Sequence, residues 1–176
     1  ITKSTRIIDA IEMMLKEIRN WGFRIENEVA INLILNEMII NAVYHSHGLT
    51  REKLERKPVI LKEGKYVDLF FCRNESSYAV SVTDYNGSLT KERILESIHS
   101  VIQQEILLEK SAQTGEDITA FISETGRGID LLRKLSWEYY FIIKKDERTD
   151  VIIIFRDSIK EIDFDRNSLK IIEDRS

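Results

Sequence analysis

The run "INLILNEMIINAVYHSHG", from Ile31 to Gly48, constrains the fold more than any other stretch of this chain. Around Glu37 it carries Leu33, Ile34, Leu35, Met38, Ile39, Ile40, Ala42 and Val43. Most of the circumference of a helix drawn through them asks for burial, so the helix has to lie against another layer. Glu37, Asn41 and His45 nonetheless recur every fourth residue and stack along one side. A buried charge without a partner is expensive, so this stripe has to face water or a ligand. As the solvated edge of an amphipathic helix it needs no function. Lining a site, its carboxylate can act as a base and its amide oxygen can hold a hard cation.

What the helix packs against is legible in the rest of the chain. Residues 4–20 place Ile7, Ile8, Ile11, Met14, Leu15 and Ile18 at helical spacing, with Ser4 or Thr5 as N-cap and Gly22 as a stop. The second helix is expected over Asn27 to Tyr44. "PVILKEGKYVDLFFCR" reads as two strands joined at Glu63-Gly64, and "YAVSVTD" as another strand. Thr90 to Lys110 is helical in pattern, and the polar stretch "SAQTGED" interrupts it. "GIDLLRKL" predicts a short helix, followed by the strand pair "WEYYFIIKK" and "DVIIIFRD" around the turn "DERT". The charged tail from Lys160 carries no structural pattern. This order predicts an α+β fold, a two-layer α/β sandwich with helices on one face of a mixed, largely antiparallel sheet.

Composition narrows the class. A chain of 176 residues supports one domain with a proper core, here residues 1–176 with the core at about 7–156 and a tail at 160–176. Its 43% hydrophobic and 32% charged residues exclude a disordered chain. Acidic residues outnumber basic ones, 30 to 26, and no broad basic patch marks a nucleic-acid binder. Cys72 is the single cysteine, so no internal disulfide is possible. No apolar run reaches membrane-spanning length and the opening residues lack a signal-peptide pattern. A cytoplasmic protein without a membrane segment is the expectation.

Two further stretches carry possible chemistry. In "VSVTDYNGS" a strand runs into Asp84 and then a turn. An aspartate there is commonly a turn-former, and it can also accept a hydrogen bond from an exocyclic amine such as that of adenine. In "ETGRGIDLLRKL", Gly126 and Gly128 open into a helix beside Arg127. The glycines supply loop freedom; backbone N–H groups at such a helix start also attract phosphate.

Taken in order and spacing, these stretches resemble the GHKL superfamily of histidine-kinase-like ATPases. Glu37-x3-Asn41-Ala42-x2-His45 is similar to its N box, Asp84 to the aspartate of its G1 box, and Gly126-Arg127-Gly128-Ile129 to its G2 box. Thr149 matches the threonine before the last core strand. The resemblance spans roughly Ile7 to Phe155. Within the superfamily the compact length and "GRGIDLLRKLS" look closest to the bacterial anti-sigma-factor serine/threonine kinases.

The resemblance implies an ATP site. Asn41 would ligate Mg²⁺, and Glu37 would be the catalytic base or orient the attacking hydroxyl. Asp84 would hold the adenine amine with Thr149 assisting. Gly126, Arg127 and Gly128 would reach the phosphates, and His45 would complete the N box. It also implies a protein partner of the sigma-factor or antagonist type, and a homodimer. The G1 stretch Asp84-Tyr85-Asn86-Gly87-Ser88 departs from Asp-x-Gly-x-Gly: Asn86 and Ser88 stand where the family has glycines, and Gly87 would serve only in a loop shifted by one. The insertion "TREKLERKPVILKEGK" after the N box is a second departure, read as a surface for partner contacts. Two other readings stand beside the kinase. One is a non-catalytic module that regulates by protein binding, favoured by the altered G1 stretch. The other is an ATP-binding domain cut from a larger signalling kinase.

Overall fold

The computed structural model describes residues 1–25, 27–115, 117, 129, 132, 138–156 and 168–174. A 3-10 turn at Ser4–Arg6 leads into helix α1, Ile7–Asn20. Its buried residues Ile7, Ile11, Met14, Leu15 and Ile18 form one face, and Gly22 closes its end with φ +91°. Ser4 does not cap α1; its Oγ accepts from the Val59 N–H instead. Helix α2, Glu28–Ile40, is capped by Asn27, whose Oδ1 accepts from the Ala30 N–H at 3.0 Å.

The second helix does not run as one regular α-helix to Tyr44. It passes into a π turn at Asn41–His45, where the Ser46 N–H reaches back to Asn41 O at 3.2 Å. Such wide turns recur at functional sites. Helix α3, Thr50–Leu54, follows, and the 24-residue helix α4 spans Lys91–Thr114. The interruption expected at "SAQTGED" is therefore not where α4 stops. The helix continues to Thr114 and is closed by Gly115 at φ +74°.

The sheet contains β1 (Val67–Arg73), β2 (Ser77–Asp84), β3 (Glu138–Lys144), β4 (Arg148–Arg156) and β5 (Ser168–Asp174) in the order β1-β2-β4-β3-β5. Three pairings are antiparallel, and β5 lies parallel to β3, so the sheet is mixed. Tyr78, Val80 and Val82 of β2 share a face with Tyr139 and Phe141 of β3 and Ile153 and Phe155 of β4. These residues join the buried faces of α1 and α2 in one core cluster.

Two expectations need correction. The hairpin across Glu63-Gly64 is absent: the turn exists, but the partner of β1 is β2. Residues 59–61 pair instead with the N-terminal residues, through Ser4 N–H to Val59 O and Leu61 N–H to Thr2 O. The charged tail also holds structure, since β5 extends the sheet. The helix expected over "GIDLLRKL" lies largely outside the described residues.

Candidate functional site

The last residue of β2 and the second of β4 stand opposite one another. Asp84 pairs with Thr149, and the same row continues to Val67 on β1 and Ile143 on β3. Both flanking residues are buried apolar groups, so the two polar side chains interrupt an otherwise apolar surface. Asp84 is 5% exposed and Thr149 is 1% exposed. The carboxylate is held by an Asx turn, its Oδ1 accepting from the Asn86 N–H at 3.0 Å and the Gly87 N–H at 3.2 Å. Among the described residues nothing donates to Oδ2 of Asp84 or bonds to Thr149 Oγ1. This is an open carboxylate oxygen on a largely buried aspartate, beside a buried hydroxyl, a combination that suits an edge carrying an N–H donor.

Gly87 fixes the loop rather than opening it. Its φ is +56°, and a Cβ placed there would lie 2.4 Å from Lys144 O and 2.6 Å from Glu147 N in the β3–β4 turn. The turn in turn donates from Asp146 N–H to Gly87 O at 3.1 Å. The glycine's missing side chain thus serves packing of the loop on the hairpin that carries Thr149.

Asn86 ties this loop to the residues after the π turn. Lys65 Nζ donates to Asn86 Oδ1 at 2.9 Å, and an ammonium can only donate, so the amide nitrogen faces the other way. There Nδ2 donates to Ser46 O at 2.9 Å and to His47 Nδ1 at 2.7 Å. With Nδ1 accepting, the proton of the neutral ring sits on Nε2, which is buried and unpartnered. Burial is the largest cause lowering the His47 pKa; Asp84 raises it and Lys65 lowers it further.

The helical stripe ends differently. Glu37 is half-buried, and its carboxylate has no hydrogen bond or ion pair with a described residue. Asn41 Oδ1 accepts from Lys53 Nζ at 2.9 Å, and the same ammonium lies 3.2 Å from His45 Nε2. That leaves the ring proton on Nδ1, 3.3 Å from Thr50 Oγ1. Burial, Lys53 and Arg93, in that order, hold the His45 pKa below its ordinary value. The segment from Thr50 to Lys65 therefore folds back to supply Lys53 and Lys65 to the site. Neither lysine was marked by sequence, because a lone lysine in a polar segment reads as solvated surface.

A magnesium ion takes oxygen ligands and commonly keeps waters, with one or two protein oxygens sufficing. Asn41 Oδ1 and the Glu37 carboxylate are suitable in kind. The Lys53 ammonium stands where a cation on Asn41 would be, and would have to turn aside. Gly126, Arg127 and Gly128 lie outside the described residues.

On the opposite sheet face, one residue along, Thr83 Oγ1 donates to Asp150 Oδ1 at 2.7 Å, and Arg148 Nε lies 3.0 Å from Asp150 Oδ2. Tyr85 donates to Asp68 Oδ2 at 2.7 Å, and that bond is the main reason its pKa is pushed up to about 12. This polar row is internally satisfied and shares no face with Asp84. Comparison of the chain with known protein families finds no match, and comparison with curated proteins finds none either. Among the described residues, no helix is long and apolar enough to cross a membrane.

Proposed function

We propose that this chain is a Mg-ATP-binding domain of the GHKL type that acts as a serine/threonine protein kinase and anti-sigma-type switch. The observation that carries the reading is the buried pair Asp84 and Thr149 on facing strands, with an unpartnered hydroxyl in an apolar row. Asp84 accepts the exocyclic amine of adenine, and the Asx turn aims its carboxylate. From there the nucleotide runs toward α2, whose π turn packs against β2. Asn41 offers an amide oxygen for the metal ion, which neutralises phosphate charge when bound. Glu37 accepts the proton of the attacking serine hydroxyl as the new O–P bond forms and the bond to ADP breaks. Lys53 and Arg93 set positive charge at the same end. The partner is a protein that presents a serine, of the sigma-pathway antagonist type.

The test is calorimetric titration with ATP and Mg²⁺ beside an Asp84→Asn variant. Saturable binding is expected, weakened about 10- to 100-fold in the variant, the value of a charge-assisted hydrogen bond. Absence of binding at millimolar nucleotide sinks the reading. A second reading, a non-catalytic protein-binding module, is favoured by the Lys53–Asn41 bond, which leaves the metal ligand occupied by the chain's own ammonium. Nucleotide binding without phosphate transfer to any serine partner, unchanged in Glu37→Gln, selects this second reading.

A further inference from the structure

Among the described residues two buried side-chain polar atoms lack a hydrogen-bond partner, His47 Nε2 and Thr149 Oγ1. Such atoms are rare, and each asks for an explanation. These two belong to one corner of the molecule. Thr149 stands opposite Asp84 across β2 and β4. His47 is joined to the same aspartate through Asn86, whose side chain donates to His47 Nδ1 at 2.7 Å while its backbone N–H donates to Asp84 Oδ1 at 3.0 Å. Because Lys65 fixes the orientation of the Asn86 amide, the imidazole presents N–H, not a lone pair, at Nε2. The corner therefore offers an acceptor, Asp84 Oδ2, and an unpaired donor, His47 Nε2–H, with the Thr149 hydroxyl able to play either part.

We propose that His47 is a base-reading residue, its Nε2–H donating to a purine ring nitrogen next to the exocyclic amine held by Asp84. This rests on the nucleotide reading of the site. Adenine supplies an amine donor with ring nitrogens beside it, matching an acceptor and a donor. Guanine places a carbonyl where the amine belongs, so the Asp84 carboxylate would meet another acceptor. His47 would then add selectivity that Asp84 and Thr149 do not provide alone, since neither is a fixed donor. Asn86 gains a purpose as well: its side chain sets the tautomer of the reading group.

The experiment is a competition titration against a fluorescent ATP analogue, using ATP, GTP, 1-deaza-ATP and 7-deaza-ATP. It is run on the wild-type chain, His47→Ala and His47→Gln. The wild type should bind one of the two deaza analogues about tenfold more weakly than ATP, the worth of one hydrogen bond to a buried donor. His47→Ala should lose that difference by weakening ATP alone, and His47→Gln, which keeps an N–H donor, should regain part of it. Equal wild-type affinity for ATP and both deaza analogues overturns the inference, and this arm needs no variant to fold. So does an unchanged ratio of ATP to deaza-ATP affinity in His47→Ala. Failure of the wild type to bind any nucleotide overturns the nucleotide reading itself and His47 with it, a result distinct from the other two.

Discussion

At one end of the site, where β2 meets β4, Asp84 and Thr149 are almost wholly buried and the Thr149 hydroxyl has no partner. At the other end, Asn41 is half-buried, His45 is exposed, and both are already engaged by Lys53. The buried end cannot satisfy its polar atoms with bulk water, so an orphan there asks for an explanation. The open end satisfies its groups with the chain itself and with solvent, and an identical set of residue types would look the same with no function at all. Burial, more than residue identity, is what makes the first end informative. The ways to break this comparison are substitutions whose effects should differ in size or sign between the two.

The largest effect is expected at Gly87. Its positive φ, and a backbone oxygen 2.4 Å from where a Cβ would stand, leave no room for alanine without moving the β3–β4 turn. Gly87→Ala should cost about 3 kcal/mol of stability in urea unfolding, since strain and a backbone clash combine. Gly22→Ala, also at positive φ but with nothing within 4 Å, should cost only about 1 kcal/mol. Equal costs at the two positions would mean that the loop below Asp84 is not pinned to the hairpin.

Next in size is a reversal of sign between two threonines on neighbouring rows of the sheet. Thr83 donates to Asp150 at 2.7 Å on one face, whereas Thr149 on the other has no partner. Replacing Thr83 by the isosteric valine should destabilise the chain by about 1–2 kcal/mol, because a buried carboxylate loses its donor. The same change at Thr149 removes a buried hydroxyl that has no hydrogen-bond partner, and should stabilise the chain by about 1 kcal/mol. Urea unfolding of both variants checks the pair. A loss of stability in Thr149→Val would show that this hydroxyl is satisfied without a ligand.

Periodicity made α1 and β2 legible, because each buries mainly one face and repeats accordingly, whereas α2 and β4 showed as dense apolar runs. Asp84 was visible as a carboxylate closing a strand, and Thr149 through its resemblance to a family pattern. The features that escaped share a physical cause: they depend on where a distant part of the chain returns. Residues 59–61 look like half of a hairpin but bond to Ser4 and Thr2. The strand β5 is parallel to β3, a pairing that no local turn announces, and among its described residues Leu169 and Ile171 pack against the core. Lys53 and Lys65 meet Asn41 and Asn86 because the segment from Thr50 to Lys65 folds back. His47 sits past the end of the regular helix, so helical spacing gave no reason to place it near Asp84.

The smallest expected effect separates the two histidines. Both have pKa values below the ordinary 6.5, His47 and His45 alike owing first to burial, but Lys53 contributes at His45 and not among the causes at His47. Lys53→Met should therefore raise the His45 pKa toward 6.5 and leave that of His47 in place, as read by NMR titration of the ring protons. The sign for stability follows from proton linkage. A histidine with a lowered native pKa binds fewer protons folded than unfolded, so stability is fully present above pH 6.5 and is lost as pH falls through the native value. Lys53→Met should shrink the part of that acid loss due to His45, while costing about 0.5–1 kcal/mol at neutral pH through the lost Lys53–Asn41 hydrogen bond. A matching shift at both histidines would show that the two ends of the site are electrostatically one, and the contrast between them would have to be given up.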